Sequence, residues 1–150
     1  MPPEHLLFGL RTALDLIFAE GLENVFNRHR LLAEATRRAV GTWAEGQSIA
    51  FNISEAEERS DTVTAVVTRN GDSAQPLVDY CREKCGVVLG RAIGKSESQG
   101  FRIAHMGHVN APMILGTLSV VEMGLAALGL PHGKGGAQAA LEYLAKAVPA

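Results

Sequence analysis

The chain has 150 residues, enough for one domain with a real hydrophobic core. Apolar residues make up 47% and charged ones 20%, the balance of a globular protein. A net charge of −2 and a pI near 6.2 exclude the concentrated basic surface that nucleic acid or an anionic membrane requires.

The opening segment, "MPPEHLLFGLRTALDL", has no basic stretch ahead of an apolar one, so no signal peptide is expected. No apolar run reaches the roughly 20 residues of a membrane span. A cytoplasmic protein is the expectation. From Glu4 to about Trp43 apolar side chains recur at spacings of three and four, among them Leu6, Leu10, Leu14 and Ile17. Pro2 and Pro3 suit the approach to a helix start, and Gly21 divides the stretch into two helices. Arg28, Arg30, Arg37 and Arg38 alternate with Glu23 and Glu34 and are read as a solvated face.

"GTWAEGQSIAFNISEAEERSD" carries Gly, Asn and Ser punctuation and reads as loops with one short strand. Thr62 to Thr68, "TVTAVVT", is the clearest strand because it is largely β-branched, and Asn70-Gly71 is a turn signal after it. Ser73 is the expected cap of a following helix, with Pro76 in its first turn and Gly86 just past its end. Cys81 and Cys85 lie on that helix and read as two reduced thiols. "VVLGRAIG" and "FRIAHM" are two more strands, and "APMILGTLSVVEMGLAALGL" and "AQAALEYLAKAV" two more helices. The order predicts an α+β fold, a small antiparallel sheet covered on one face by helices and preceded by long helices. The first forty residues form apolar helices before any sheet exists, so some of their surface is expected to meet another body, either a second copy or a companion domain.

The chemistry centres on "GFRIAHMGHVN". In a strand, Phe101, Ile103 and His105 face one way, and Arg102, Ala104 and Met106 the other. Two readings of Arg102 stand side by side. It is either a solvated surface charge or an anchor for an anion, since a planar guanidinium grips a carboxylate through two parallel hydrogen bonds that a lysine cannot copy. His105 and His108 lack a third metal ligand nearby and are read as packing or hydrogen-bonding residues. His132 and Lys134 in "HGKGG" offer a weak phosphate signal, without the spacing of a P-loop.

Three ordered segments carry a resemblance that covers nearly the whole chain. "HLLFGLRTALDLIFAEGLENVFNRHRLLAEATRRAV" resembles the linker helices of class V aminotransferases, in particular the alanine–glyoxylate and serine–glyoxylate enzymes. "YCREKCGVVLG" with "GFRIAHMGHVN" is similar to the stretch "GIVLG…FRIGHMG" of that family, and "GTLSVVEMGLAALGLPHGKGGAQAALEYL" to its last helices. The resemblance implies linker helices over 1–44 and a C-terminal small domain over 45–150. It also implies that Arg102 binds the substrate α-carboxylate. Ala104, where relatives often have Gly, and His108, where they often carry Asp or another polar residue, depart from the pattern and bear on substrate choice.

In the family, a large N-terminal domain binds pyridoxal 5′-phosphate and supplies the Schiff-base lysine. None of Lys84, Lys95, Lys134 and Lys146 stands in a setting that matches that lysine. The full enzyme is expected to pass an amino group from alanine, serine or a similar donor to glyoxylate or another 2-oxo acid. This chain by itself is expected to hold no cofactor, no metal and no catalytic residue, and to be inactive. It would act as a homodimer or in association with a cofactor domain. The alternative is a stand-alone, non-catalytic oligomerisation or binding module built from the same domain.

Overall fold

A computed structural model of the chain describes residues 3–69, 71–94 and 97–147. Pro2, Asn70 and Lys95, named above for a helix approach, a turn and a cofactor lysine, lie outside them. Helix α1 spans Glu4–Glu20 and α2 spans Leu22–Ala44. Between them Gly21 adopts φ 89°, a conformation glycine takes without steric cost, so one apolar periodicity becomes two helices.

The two helices differ in kind. α1 buries none of its residues, whereas α2 places Leu32, Ala35, Ala39, Val40 and Trp43 in the core. Two of the four arginines read as a solvated face are not solvated. Arg28 binds Glu20 and the carbonyls of Gly107 and Val109, and Arg37 binds Asp61 and the carbonyls of Arg59 and Ser60. Each ties α2 to a loop at the same end of the sheet, a role invisible in local charge alternation because the partners lie 22 to 81 residues away.

Four strands form one antiparallel sheet in the order β1-β2-β4-β3: β1 Ile49–Phe51, β2 Val63–Thr68, β3 Gly90–Arg91 and β4 Gly100–Ala104. β3 is far shorter than the "VVLGRAIG" run predicted; only Gly90 and Arg91 pair with β4. The inner face presents Ile49, Val66, Phe101 and Ile103 to α2, α3 (Gln75–Cys85), α4 (Ala111–Ala127) and α5 (Gly136–Ala147). The predicted α+β architecture is the observed one.

Helix ends follow side-chain chemistry. α3 starts one residue later than expected, with Ala74 at the cap position. Ser73 still contributes, its hydroxyl accepting from the Gln75 N–H at 3.2 Å, and Pro76 sits in the first turn. Gly86 closes the helix with φ 69°. Asn110 caps α4 by accepting from the Met113 N–H at 3.1 Å. α4 ends at Ala127, three residues short of the predicted run, as Gly129 turns left-handed at φ 66° and the Leu130 N–H bonds back to Leu125. Both cysteines are free thiols, and burial pushes that of Cys81 up to about 11.

Candidate functional site

The sequence of β4 alternates large apolar with polar or small side chains, so one face packs and the other is left free. Phe101, Ile103 and His105 are fully enclosed on the helical side, while Arg102 is half-buried and Ala104 exposed on the other. This is the alternation expected from the spacing.

Arg102 has room because its cross-strand neighbours are small. It pairs with Ala65 on β2 and with Gly90 on β3. A Cβ added at Gly90 would stand 3.3 Å from Arg102 Cβ and 3.6 Å from its Nε, so a larger residue there would crowd the guanidinium. Arg102 Nε donates to the Arg91 carbonyl at 2.7 Å, which fixes the side chain's direction. Among the described residues no carboxylate lies within ion-pair distance of it. With Nε committed, Nη1 and Nη2 form the free edge of the fork, and an incoming carboxylate would be met end-on.

Arg102 lines a pocket of about 130 Å³ on the uncovered sheet face, together with Asn52, Ala65, Val67, Ala92 and Ile93. Liquid water takes about 30 Å³ per molecule, so the space suits a ligand of a few heavy atoms. Asn52 and Ala65 also line a neighbouring pocket of about 180 Å³ with Phe51, Ile53, Arg59 and Val63. In it, the Arg59 guanidinium lies 3.8 Å from the centre of the Phe51 ring. Sequence reasoning missed Ala65, Gly90 and Asn52. The first two become visible only once the strand register is known.

His105 is a structural group. Its Nδ1 lies 3.1 Å from the Asp61 carbonyl, which can only accept, so Nδ1 carries the proton. Nε2 is then left to accept from the Thr64 hydroxyl at 2.9 Å. Burial, only partly offset by the Asp61 carbonyl, pulls its pKa down to about 4 and keeps the ring neutral. Among the described residues no group of three or more His, Cys, Asp or Glu is placed to hold a metal.

The "HGKGG" loop does not present a phosphate site. The Glu122 carboxylate, reaching over from α4, accepts from the N–H groups of Gly135, Gly136 and Ala137 at 2.5, 3.2 and 2.8 Å. The N-terminus of α5 is thus filled by the protein's own anion. Burial raises the pKa of Glu122, but the donors of Ala137, Gly135 and Gly136 outweigh it and hold the carboxyl below its usual range. Lys84, Lys134 and Lys146 are exposed, and none of the three lines the Arg102 pocket. The described residues therefore place one guanidinium beside a small pocket that none of Lys84, Lys134 and Lys146 lines.

No family model matches the chain. Among curated proteins it is 41% identical over 150 residues to the serine–glyoxylate aminotransferase of Arabidopsis thaliana, covering 99% of this chain and 36% of that one. It is 38% identical over 144 residues to the enzyme of the same name from Methylorubrum extorquens, covering 95% and 35%. Among solved structures, the pyridoxamine–pyruvate aminotransferase from Mesorhizobium loti superposes with a TM-score of 0.81 at 30% identity, over 92% of this chain and 35% of that one. The chain spans about a third of the length of the relatives it matches, and the matched part is C-terminal.

Proposed function

Because the chain belongs to the class V aminotransferases, matching the C-terminal small domain of their serine– and alanine–glyoxylate members, we propose that it is the carboxylate-binding domain of such an enzyme. The substrates we assign are an amino-acid donor such as serine or alanine and glyoxylate or another small 2-oxo acid. Arg102 would hold the α-carboxylate through Nη1 and Nη2. The observation that supports this reading is a guanidinium with no carboxylate within ion-pair distance among the described residues, oriented by the Arg91 carbonyl and lining a small pocket on the sheet face that the helices leave open.

Pyridoxal 5′-phosphate, bound as an imine to a lysine, supplies the electron sink that amino transfer needs. Since none of Lys84, Lys134 and Lys146 lines the Arg102 pocket, we place the lysine and phosphate contacts of that group in the N-terminal portion that makes up the other two thirds of the relatives. This chain would contribute substrate orientation and water exclusion. We also propose a cytoplasmic setting, a reading that two free thiols support.

The exposed side of α1 supports a companion body. Leu6, Phe8, Leu16 and Phe18 are each more than 60% exposed, an apolar surface that water alone leaves unsatisfied. We assign its cover to the N-terminal portion of the same enzyme, to a second copy, or to both. The same surface is what favours the second reading, a non-catalytic association module. Light scattering decides against that module if the chain runs as a clean monomer and captures no copy of itself.

The test is Arg102→Lys in an enzyme joined to a cofactor-bearing N-terminal portion. Losing the fork geometry should lower kcat/KM for the oxo acid about 10- to 150-fold, the equivalent of one charge-assisted contact of about 1.5–3 kcal/mol. Cofactor affinity should stay within about threefold. Equal losses in both would remove Arg102 from the role of carboxylate anchor.

A further inference from the structure

Gly21, with φ 89°, gives the bend between α1 and α2 the backbone freedom of a hinge. The side chains around it withhold that freedom. Glu20 is the last residue of α1, where the carbonyl end of the helix repels a carboxylate. Arg28, two turns into α2, compensates through two parallel bonds, Nε to Oε1 at 2.6 Å and Nη2 to Oε2 at 2.8 Å. Asn24 closes the same bend from a second side, its carboxamide donating to the Glu20 main-chain carbonyl at 2.8 Å.

The remaining nitrogen of Arg28 leaves the bend altogether. Nη1 donates to the Gly107 carbonyl at 2.8 Å and to the Val109 carbonyl at 3.0 Å. Those two residues belong to the segment that carries the chain out of β4, five residues past Arg102, into the Asn110 cap of α4. One guanidinium therefore touches the end of α1 and the exit of the Arg102 strand while rooted in α2. Since α1 buries no residue, its direction against the rest of the fold rests on the backbone at Gly21 and on these contacts.

We propose that Arg28 is a positioning residue that makes α1 and the exit of the Arg102 strand a single moving part, so that the seating of α1 on the rest of the enzyme is passed to the carboxylate anchor. This rests on the reading of Arg102 given above and assigns a residue outside its pocket. Only a planar fork with several fixed donors spans a carboxylate and two carbonyls at once; a lysine offers one compact charge.

The test has two arms. In hydrogen exchange on this 150-residue chain, Arg28→Ala should speed exchange about tenfold both around residues 17–25 and around 105–110. Faster exchange at only one of the two sites overturns the link. In the cofactor-bearing enzyme, Arg28→Ala and Arg28→Lys should each raise KM for glyoxylate about tenfold while kcat and cofactor affinity stay within about threefold, because small displacements of a positioning group weaken binding geometry.

Glu20→Gln keeps the shape and cuts the charge on the α1 side while leaving the carbonyl contacts, so it remains informative if Arg28→Ala does not fold. It should raise KM several-fold and add little to the effect of Arg28→Lys in the double variant, the sign of a shared contact. A KM unchanged by Glu20→Gln but raised by Arg28→Lys would make Arg28 a brace of the 107–109 loop alone and overturn the proposal. If Arg102→Ala itself leaves KM unchanged, the fault lies with the anchor reading, whatever the exchange data show.

Discussion

Glu122 gives the sharpest stability prediction, because its carboxylate does a job that nothing else near the start of α5 performs. Three successive N–H donors, from Gly135, Gly136 and Ala137, end on its two oxygens. Glu122→Gln keeps one acceptor oxygen but turns an NH2 toward the remaining donors and removes the charge that favours a helix N-terminus. Bonds to charged groups are worth about 1.5–3 kcal/mol each and the helix end adds about 0.3–1 kcal/mol, so a net loss of about 2–4 kcal/mol is expected after the retained bond is counted. For a chain of this size that lowers Tm by about 5–15 °C.

Urea unfolding followed by Trp43 fluorescence measures it, since the single tryptophan is fully buried and lies against Gly136. The pH dependence supplies a second check. A carboxyl held below its ordinary pKa in the folded state contributes stability above the unfolded value and loses it as pH falls. The gap between wild type and Gln should thus be constant from pH 7 to about 5.5 and narrow as pH falls below about 4.5. Sulfate should stabilise Glu122→Ala more than wild type, because the vacated N–H groups become available to an outside anion. A Gln variant within about 0.5 kcal/mol of wild type at pH 7 would refute the assignment.

Acid should also act through His105, in a different window. Its folded pKa of about 4 lies below the ordinary value of 6.5, so the unfolded chain binds the proton first. Stability is complete above pH 6.5 and falls by about 2–3 kcal/mol as pH approaches 4, whereas His105→Gln should show a much flatter profile between pH 6.5 and 4.5 in the same urea assay. The contrast between the first helix and the core is testable by paired truncation. Leu118→Ala should cost about 2–5 kcal/mol and Leu14→Ala in this chain less than about 0.5 kcal/mol; a large loss at Leu14 would mean that α1 packs on the body after all.

Local patterns carried the elements and failed on the connections between them. The β-branched run at 62–68 and the glycine at position 86 each act within a short stretch of chain, and each does in the structure what its chemistry predicts. Strand β3 was overcalled because Val87, Val88 and Leu89 look β-forming, yet only two residues find a partner on β4. The side of Arg102 was legible from a period of two, but its surroundings were not, since Ala65 and Gly90 become its neighbours through pairings 37 and 12 residues away.

The charged residues show why the sequence misleads most where the fold does most with charge. Arg28, Arg37 and Glu122 look like ordinary surface positions in a helical repeat. Their partners are largely main-chain groups of distant loops, and a carbonyl or N–H has no side-chain identity to read. Arg102 differs from these three: its Nε donates to a carbonyl, but no bond within the described residues engages its outer edge. Arg28, Arg37 and Glu122 each find charged or main-chain partners within the fold, and Arg102 is held half-buried beside a pocket of about 130 Å³. A half-buried guanidinium with donors left free can take an anion from outside the fold, which is the ground of our proposal that Arg102 holds a small carboxylate.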